Sequence, residues 1–352
     1  MTNLYSGTDS SSGGPPSSLG ARSALVISLD FELRWGVRDR RPLDSNERQR
    51  LLSARRVIPR LLEIFDEFEI HATWATVGFL FARSKDELLM FMPASRPNYS
   101  RRELDPYSEP VGGNEDEDPF HFAPSLVAEI AGHRGQEVGG HSFSHYYCLE
   151  EGQTPESFEA DLQSSLGIAT KSGYEIRAFV FPRNQVEASY LPMLDRAGIT
   201  CFRGPDPSCV SQAANFRAQR HVHNRFMRLV DSYYDLFGPR AHAWPAGDGL
   251  VDVPASRYLA PYRHWLAGAE GARRTRIVDA MRRAAAAGKI FHLWWHPEDF
   301  AFEPEMNLAF LRSILGSFDR LRTEYGMQSL SMNEAAAMCS TRPRSSSEVQ
   351  SR

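Results

Sequence analysis

The sequence predicts an α/β protein whose parallel strands form a closed or nearly closed (β/α) barrel, and three observations support this fold. Short apolar runs alternate with helical patterns along most of the chain, as in the strand–helix–strand units that build a parallel sheet. Eight such runs are spread over roughly 315 residues, a length that suits one barrel domain. Polar side chains follow four of the runs, and the carboxyl ends of barrel strands share one rim.

The predicted elements can be justified in chain order. Residues 24–29 are an unbroken apolar run of strand length, and apolar residues at 3.6-residue spacing between Val57 and Phe68 predict the next helix. Pro59 is expected in the first turn of that helix, where its missing N–H does no harm. Thr154 and Pro155 are expected to be the N-cap and first residue of the helix before the fourth strand. The remaining strands are predicted at residues 70–77, 136–140, 178–181, 200–202, 250–253, 290–295 and 327–330.

We expect a single barrel domain over residues 23–338, with a long insertion and two flanking tails. Residues 1–22 are rich in Ser, Gly and Pro and residues 339–352 are polar, so both ends are predicted to be disordered. The insertion covers about residues 84–124. We expect it to border or cover the substrate cleft, and residues 93–118 to be dispensable for folding. A solvated loop without a role is the alternative.

Charge and hydropathy exclude several classes of protein. The 40 Lys and Arg residues nearly balance the 44 Asp and Glu residues, and the net charge of -4 gives no global field that attracts nucleic acid or anionic lipid. No apolar run is long enough to span a membrane, and the N-terminus lacks the basic patch and apolar core of a signal peptide. We therefore expect a cytoplasmic protein without a membrane span. The four cysteines form no CxxC pair, so neither a disulfide scaffold nor a thiolate zinc site is expected.

The candidate site residues follow four different predicted strands. Because these strand ends meet at one rim, their acid, imidazole and guanidinium groups are expected to gather in one place. They are Asp30 and Glu32 after the first strand, His141 and His145 after the third, Arg183 after the fourth, and His296 after residues 290–295.

Two of these groups point to a metal ion. His141 and His145 are four residues apart, a spacing that puts both on one face of a helical turn and lets both reach one ion. Gly139 and Gly140 are expected to let the backbone turn tightly off the strand. A carboxylate from the first strand would complete a set of three protein ligands, two histidines and one acid. Three protein ligands leave coordination positions open for water and substrate, as in catalytic metal sites, whereas structural sites have four protein ligands.

Each residue also has a simpler interpretation. A single pair of histidines at this spacing is more often incidental than a metal site. Asp30 or Glu32 could cap the next helix or pair with Arg34. Arg183 could be a surface charge, and His296 could be a core histidine with satisfied hydrogen bonds.

Five segments resemble, in their order along the chain, the motifs of the polysaccharide deacetylase family, the NodB homology domain of carbohydrate esterase family four: SLDFE, HATWATVGF, EVGGHSFSH, FVFPRN and LWWH. HSFSH matches the His-(Ser/Thr)-x-x-His metal motif of that family fully. The resemblance covers roughly residues 23–338. It implies a distorted barrel, usually with about seven strands, that holds a zinc-like divalent ion and hydrolyses N-acetyl groups on sugars.

The chain departs from the family pattern in ways that make it an atypical member. The first motif usually has two adjacent aspartates, a base and then a metal ligand, whereas Phe31 separates Asp30 from Glu32 here. The resemblance implies that Asp30 is the base and Glu32 the ligand, and the reverse assignment stays open. Arg183 follows Pro182 instead of preceding a proline, and its implied role is to orient the base. Residues 249–254 are only a loose substitute for the usual Asp and Trp motif.

The chemistry of amide hydrolysis assigns the same roles. A divalent cation lowers the pKa of bound water toward about 7 and polarises the carbonyl, while Asp30 removes a proton. His296 protonates the departing nitrogen, and a backbone N–H near Arg183 helps to stabilise the oxyanion.

The sequence therefore predicts a metal-dependent hydrolase of non-peptide C–N bonds, with N-deacetylation of an amino sugar in polysaccharide or glycolipid metabolism as the leading hypothesis. The acylated sugar could be soluble, nucleotide-linked or lipid-linked. Two alternatives stay open: a metal-independent cyclic-amide hydrolase of the same fold, and a carbohydrate-binding relative without catalytic activity.

Overall fold

The computed structural model describes residues 22–205, 240–245 and 249–340. Nine strands in these residues form one sheet, and all their pairings are parallel. The strands are β1 Ala24–Phe31, β2 Ala72–Thr76, β3 Gln136–Gly140, β4 Ala178–Val180, β5 Cys201–Arg203, β6 Val251–Asp252, β7 Arg257–Tyr258, β8 Ile290–Trp295 and β9 Gln328–Leu330. The helices are α1 Ser45–Glu67, α2 Lys85–Met90, α3 Pro124–Gly132, α4 Pro155–Lys171, α5 Leu191–Arg196, α6 Glu270–Ala286, α7 Pro304–Tyr325 and α8 Met332–Ser340.

The sheet curves so far that its two ends come close to each other. The strand order is β6-β5-β4-β3-β2-β1-β8-β7, and β9 pairs with the start of β1. The edge strands β6 and β7 are neighbours in sequence, and the residues between them bond to both sides of the opening. The N–H of Ala255 donates to the carbonyl of Gly204 beyond β5, and that of Ser256 donates to His292 in β8. The predicted parallel (β/α) barrel is therefore confirmed, and each predicted strand position carries a strand; β7 is an additional one.

Helix α1 differs from the prediction at its proline. The helix begins at Ser45 with the Asp44 side chain accepting from the N–H of Glu47, so Pro59 lies inside it and not in its first turn. The prediction was wrong because the buried apolar stripe starts earlier, at Leu51. An interior proline costs a helix about 3 kcal/mol, and packing of an amphipathic face against the sheet is the term that offsets such a cost.

The two faces of β1 have different surroundings, and this difference positions the site. Its residues 25, 27, 29 and 31 belong to the large apolar cluster that also contains the buried face of α1. Ala24 and Val26 belong to a second cluster, together with small side chains of β4. Because successive strand residues alternate in direction, Ser28 and Asp30 continue the series that points into the barrel.

The predicted insertion is part of the folded domain. Tyr99, Leu104 and His121 are buried. The guanidinium of Arg38, in the loop after β1, donates to main-chain carbonyls of residues 103, 104 and 105, and the Tyr99 hydroxyl accepts from the N–H of Tyr147. Removal of residues 93–118 would break these contacts, so we expect this deletion to destabilise the fold and not to spare it.

Most of the two predicted tails lies outside the described residues. Cys339, which was placed in the C-terminal tail, is buried in α8. No helix in the described part of the chain is long and apolar enough to cross a bilayer.

Candidate metal and catalytic site

Three side chains that follow β1 and β3 meet at the rim of the barrel, and we call Glu32, His141 and His145 the metal triad. Glu32 Oε1 lies 2.9 Å from His141 Nε2 and 3.0 Å from His145 Nε2. All three side chains are buried, and their possible ligand atoms lie within 4.8 Å of one another. The structure thus brings together the three residues that the sequence predicts as ligands.

The donor chemistry of the metal triad fits a divalent ion. His141 Nδ1 lies 2.8 Å from the carbonyl oxygen of Val180, a hydrogen bond that directs Nε2 toward Glu32 and would leave Nε2 to bind an ion. Burial lowers the pKa of His145 to about 4, although Glu32 opposes the shift, so this imidazole is neutral as a metal ligand must be. Its Nδ1 is buried without a hydrogen-bond partner in the described part of the chain. Two imidazole nitrogens and one carboxylate are a donor set typical of catalytic zinc.

The HSFSH segment is a loop and not the expected helical turn. Ser142 and His145 have φ values of 58° and 60°, in the left-handed region that non-glycine residues seldom adopt. Asp161 of α4 stabilises this loop, since its carboxylate accepts from the N–H of Phe143 at 2.7 Å and of Ser144 at 3.1 Å. The helix that carries Asp161 begins as predicted, with Thr154 as its N-cap. The two histidines therefore converge through a loop fixed by a distant helix.

Gly139 and Gly140 have a different role from the one predicted. Both lie within β3, paired with β2, and neither has a positive φ. A Cβ atom on Gly139 would lie 2.9 Å from the Cγ2 atom of Thr73, and one on Gly140 would lie 3.0 Å from that of Ile176. These glycines therefore provide space between packed strands and do not make a turn.

We expect Asp161→Asn to weaken metal binding although Asp161 is not a ligand. The amide keeps one acceptor oxygen but turns an NH2 group toward main-chain N–H donors, which leaves a buried donor unpaired at a cost of about 1–3 kcal/mol. Metal affinity should fall about 10- to 100-fold, the range for supporting residues of metal ligands. Metal titration and thermal unfolding measure the two effects. Glu159→Gln, on the exposed side of α4, is the control, and equal metal affinity in both variants would contradict the role of Asp161.

Asp30 is held by an arginine that the sequence analysis did not select. The guanidinium of Arg203, at the end of β5, donates to both carboxylate oxygens of Asp30 at 2.7 Å. Arg203 is fully buried, donates to Ser28 Oγ at 2.9 Å, and lies over the ring of Trp294 at 4.3 Å. Burial alone would raise the pKa of Asp30, but Arg203 and His141 hold it below its usual value. Asp30 is therefore an ionised carboxylate in a fixed orientation.

Arg183, which was predicted to orient the base, contacts a different acid. Its guanidinium donates to Asp39 at 2.5 Å and lies 4.5 Å from the ring centroid of Tyr147. Arg183 and Asn184 have consecutive left-handed φ values of 55° and 53°. This turn directs Arg183 away from the base and brings the Asn184 amide oxygen to 2.9 Å from Arg203. The arginine that contacts Asp30 in the structure is therefore Arg203 and not Arg183.

His296 faces both acids from the end of β8. Its Nε2 lies 3.9 Å from Asp30 Oδ2 and 3.9 Å from Glu32 Oε1, and its Nδ1 lies 3.0 Å from the carboxylate of Asp299. Its side chain is 30% exposed, against 3% and 8% for the two acids, so it lies on the open side of the site. Burial lowers its pKa, but Glu32, Asp299 and Asp30 raise it to about 10.

Three further residues hold the backbone around the site or pair outside it. Glu298 Oε1 accepts from the N–H groups of Glu32 at 3.1 Å and Leu33 at 2.5 Å, and so fixes the turn that carries the triad carboxylate. Arg34 pairs with Glu109 at 2.8 Å and not with either acid of the site. Within residues 249–254, Asp252 accepts from the N–H of Gly204 and holds the chain beyond β5.

A comparison with protein families matches residues 52–202 to the family described as polysaccharide deacetylase. This segment includes both triad histidines, whereas Asp30, Glu32 and His296 lie outside it. No protein of curated function matches the chain.

Solved structures show the same fold at low sequence identity. A protein from Mycobacterium smegmatis, provisionally named as a polysaccharide deacetylase, aligns with a TM-score of 0.59 and 14% identity over 94% of this chain and 98% of its own. A protein from Pseudomonas aeruginosa PAO1 with a similar provisional name aligns at 0.53 and 10%, over 92% of each chain. The Puue allantoinase aligns at 0.54 and 12%, over 95% of this chain and 96% of its own.

Proposed function

Because the chain contains a domain of the polysaccharide deacetylase family, we propose that it is a metal-dependent hydrolase that removes the acyl group from an N-acylated amino sugar. The observation that carries this proposal is the position of the metal triad beside two further groups, an ionised Asp30 and a His296 on the open side. A carbohydrate-binding protein needs no such set of ligands, base and acid.

The metal triad would hold the ion, and zinc suits its two imidazole donors and one carboxylate. When bound, a divalent ion of this kind activates water and polarises the carbonyl of the scissile amide. Glu32 and not Asp30 faces both histidines, which supports the ligand role for Glu32 and leaves Asp30 for proton transfer.

Asp30 would accept the proton of the attacking water. Both of its oxygens bind Arg203, yet each carboxylate oxygen has a second lone pair. The arginine fixes the direction of that lone pair and keeps the carboxylate ionised. When a metal ion lowers the pKa of the water, the position of the base contributes more to the reaction rate than its intrinsic basicity does.

His296 would donate a proton to the departing nitrogen. Asp299 fixes its Nδ1, and the Tyr258 hydroxyl in turn donates to Asp299 at 2.5 Å, so the free Nε2 points to the site. An amine is a poor leaving group unless it is protonated. An imidazolium on the open side of the site supplies that proton.

We expect Arg203→Lys to lower kcat while metal content and KM change little. Lysine keeps the charge but loses the two parallel hydrogen bonds to Asp30 and the stacking on Trp294. A loss of about 10- to 100-fold in kcat corresponds to misplacement of one catalytic group. Added guanidinium should restore part of the rate in Arg203→Ala. A fall in metal content, or no rescue, would contradict a positioning role.

The proposed function is tested by release of acetate from acetylated amino sugars in soluble, nucleotide-linked and lipid-linked form. The zinc-loaded protein should be active, a chelator should abolish the activity, and zinc should restore it. Full activity after chelation would favour the metal-independent cyclic-amide hydrolase. A metal-loaded protein that binds sugars without turnover would favour the carbohydrate-binding alternative.

A further inference from the structure

A row of buried polar side chains continues from Asp30 into the interior of the barrel. Ser28 precedes Asp30 by two residues in β1, and its hydroxyl oxygen lies 2.8 Å from Nε2 of His292 in β8. The same oxygen accepts from Arg203 at 2.9 Å, and Arg203 donates to both oxygens of Asp30. We call His292, Ser28 and Arg203 the interior network. Each of its members is 0% exposed, so the network lies behind the base and not on the surface that meets substrate.

The hydrogen bonds of the interior network run in one direction. Burial lowers the pKa of His292 to about 3, and the charge of Arg203 contributes to the shift, so the imidazole is neutral and has a single N–H. Its Nδ1 lies 3.0 Å from the carbonyl oxygen of Val253. A carbonyl oxygen can only accept, so the proton is on Nδ1, and Nε2 accepts from the hydroxyl of Ser28. The serine oxygen therefore presents a lone pair to Arg203.

The pair of Ser28 and His292 has the geometry of a nucleophile and its base, but its surroundings give it a different role. The serine oxygen already accepts a hydrogen bond from the positively charged Arg203, which weakens it as a nucleophile. Both residues are also fully buried. The pair is therefore placed to hold Arg203 and not to attack a substrate.

The guanidinium of Arg203 uses every hydrogen-bond donor that it has. Nη1 donates to Ser28 and Asp30, Nη2 donates to Asp30 and to the amide oxygen of Asn184 at 2.9 Å, and Nε lies 3.3 Å from the same amide oxygen. A guanidinium has five N–H groups, and these bonds account for all five. Ser28 and Asn184 thus fix the two edges of the group that holds Asp30.

We infer that His292 is a positioning residue for the base Asp30 and acts on it through Ser28 and Arg203. The imidazole directs the serine hydroxyl, the serine oxygen fixes one edge of the guanidinium, and the guanidinium fixes both oxygens of Asp30. This inference rests on the proposed function, in which Asp30 accepts the proton of the attacking water. It makes the rate of that reaction depend on a histidine in the closed interior of the barrel.

His292→Leu tests the inference on zinc-loaded protein. Leucine neither donates nor accepts a hydrogen bond, so the hydroxyl of Ser28 loses its fixed direction. We expect kcat for an acetylated amino sugar to fall about 10- to 100-fold, the scale for misplacement of a catalytic group by a distant change, while KM and metal content stay unchanged. His292→Gln, whose amide oxygen can accept from the Ser28 hydroxyl, should recover most of the rate.

Ser28→Ala is the second variant, because it removes one oxygen atom and keeps the fold if His292→Leu does not. It should lower kcat in the same way. The matched control is Ser317→Ala: the hydroxyl of Ser317 is also buried and accepts from two guanidinium groups, those of Arg274 at 2.9 Å and Arg320 at 3.0 Å, between helices outside the site. This variant should keep the wild-type kcat. A lower midpoint of thermal unfolding in Ser28→Ala, with kcat as in the wild type, would make the network purely structural and overturn the inference.

Nuclear magnetic resonance of isotope-labelled arginine separates this inference from the proposed function. A guanidinium that is held on both edges gives separate Nη1 and Nη2 signals, whereas rotation averages them. The signals that disappear in Arg203→Lys identify Arg203. They should be separate in the wild type and in Ser317→Ala, and should merge or broaden in Ser28→Ala and His292→Leu. If no sugar is turned over but the signals change in this way, the proposed function fails and the support of Arg203 by His292 stands. If sugar is turned over and neither variant changes the signals or kcat, the inference fails alone.

Discussion

Replacing His141 or His145 by alanine is expected to empty the metal site and abolish amide hydrolysis. Each histidine contributes one of three buried ligand atoms that face each other. Changes to groups that only support a ligand cost 10- to 100-fold in metal affinity, so loss of a ligand should cost more. Metal content after dialysis, measured together with acetate release, checks the prediction.

The control for this experiment is His133→Ala. His133 follows α3 and pairs with Asp66 on the surface, so its loss should change neither metal content nor rate. Thermal unfolding shows whether a variant remains folded, since both triad histidines are buried. His141→Gln, which keeps most of the volume, serves as a second variant if the alanine form unfolds.

A second set of side chains could in principle bind the ion instead. Asp30, Glu32 and His296 also offer ligand atoms within 4.8 Å of one another. This second set would be the metal site if His141→Ala and His145→Ala retained the ion and His296→Ala lost it. That result would refute the metal triad. With the roles proposed above, His296→Ala keeps its metal and slows amides more than activated esters, whose leaving groups have less need of a proton.

The fold and most of the site could be predicted because their determinants are local in sequence. An apolar run of strand length specifies a strand, and the polar residue that follows it must lie at the rim when the strands are parallel. Period-two alternation also explains why an acid-x-acid sequence can place both Asp30 and Glu32 on one side, since residues i and i+2 share a face.

The same alternation could have identified Arg203. Cys201 belongs to the same apolar cluster as Ala24 and Val26, whose side chains point into the barrel. Arg203 lies two positions later, at the end of β5, and therefore points inward as well, as Asp30 does in β1. What the sequence does not reveal is the left-handed turn at residues 183 and 184, which directs Arg183 to Asp39. A conformation that L-residues seldom adopt is stabilised by the surrounding structure and has no signature in composition.

The role of the insertion and of Asp161 depended on contacts between residues far apart in sequence. The carboxylate that holds the HSFSH loop lies 17 and 18 positions away from the N–H groups it accepts from. Tyr99 reaches Tyr147 across 48 positions. Periodicity and capping patterns describe one element at a time, so they do not indicate which loop a buried side chain will stabilise.

Asp30→Asn is expected to keep the metal and lower turnover by roughly 100-fold or more, the scale of general-base catalysis. The substitution preserves the shape of the side chain, and the hydrogen bonds that both triad histidines make to an acid of the described site go to Glu32. The neutral side-chain amide of asparagine is too weak a base to accept a proton from water. Its NH2 group would also face an N–H donor of Arg203, where Asp30 has a carboxylate oxygen. Metal content and kcat, measured on the same preparation, report the two effects separately.

Glu32→Gln is the matched comparison, because it makes the same chemical change two residues away. Glu32 lies 2.9 Å and 3.0 Å from the two histidines, so this variant should release the ion and lose activity with it. The opposite pattern, with metal lost in Asp30→Asn and retained in Glu32→Gln, would exchange the two roles. If neither variant changes metal content or rate, the acids are structural, and the chemistry would have to come from a different part of the chain.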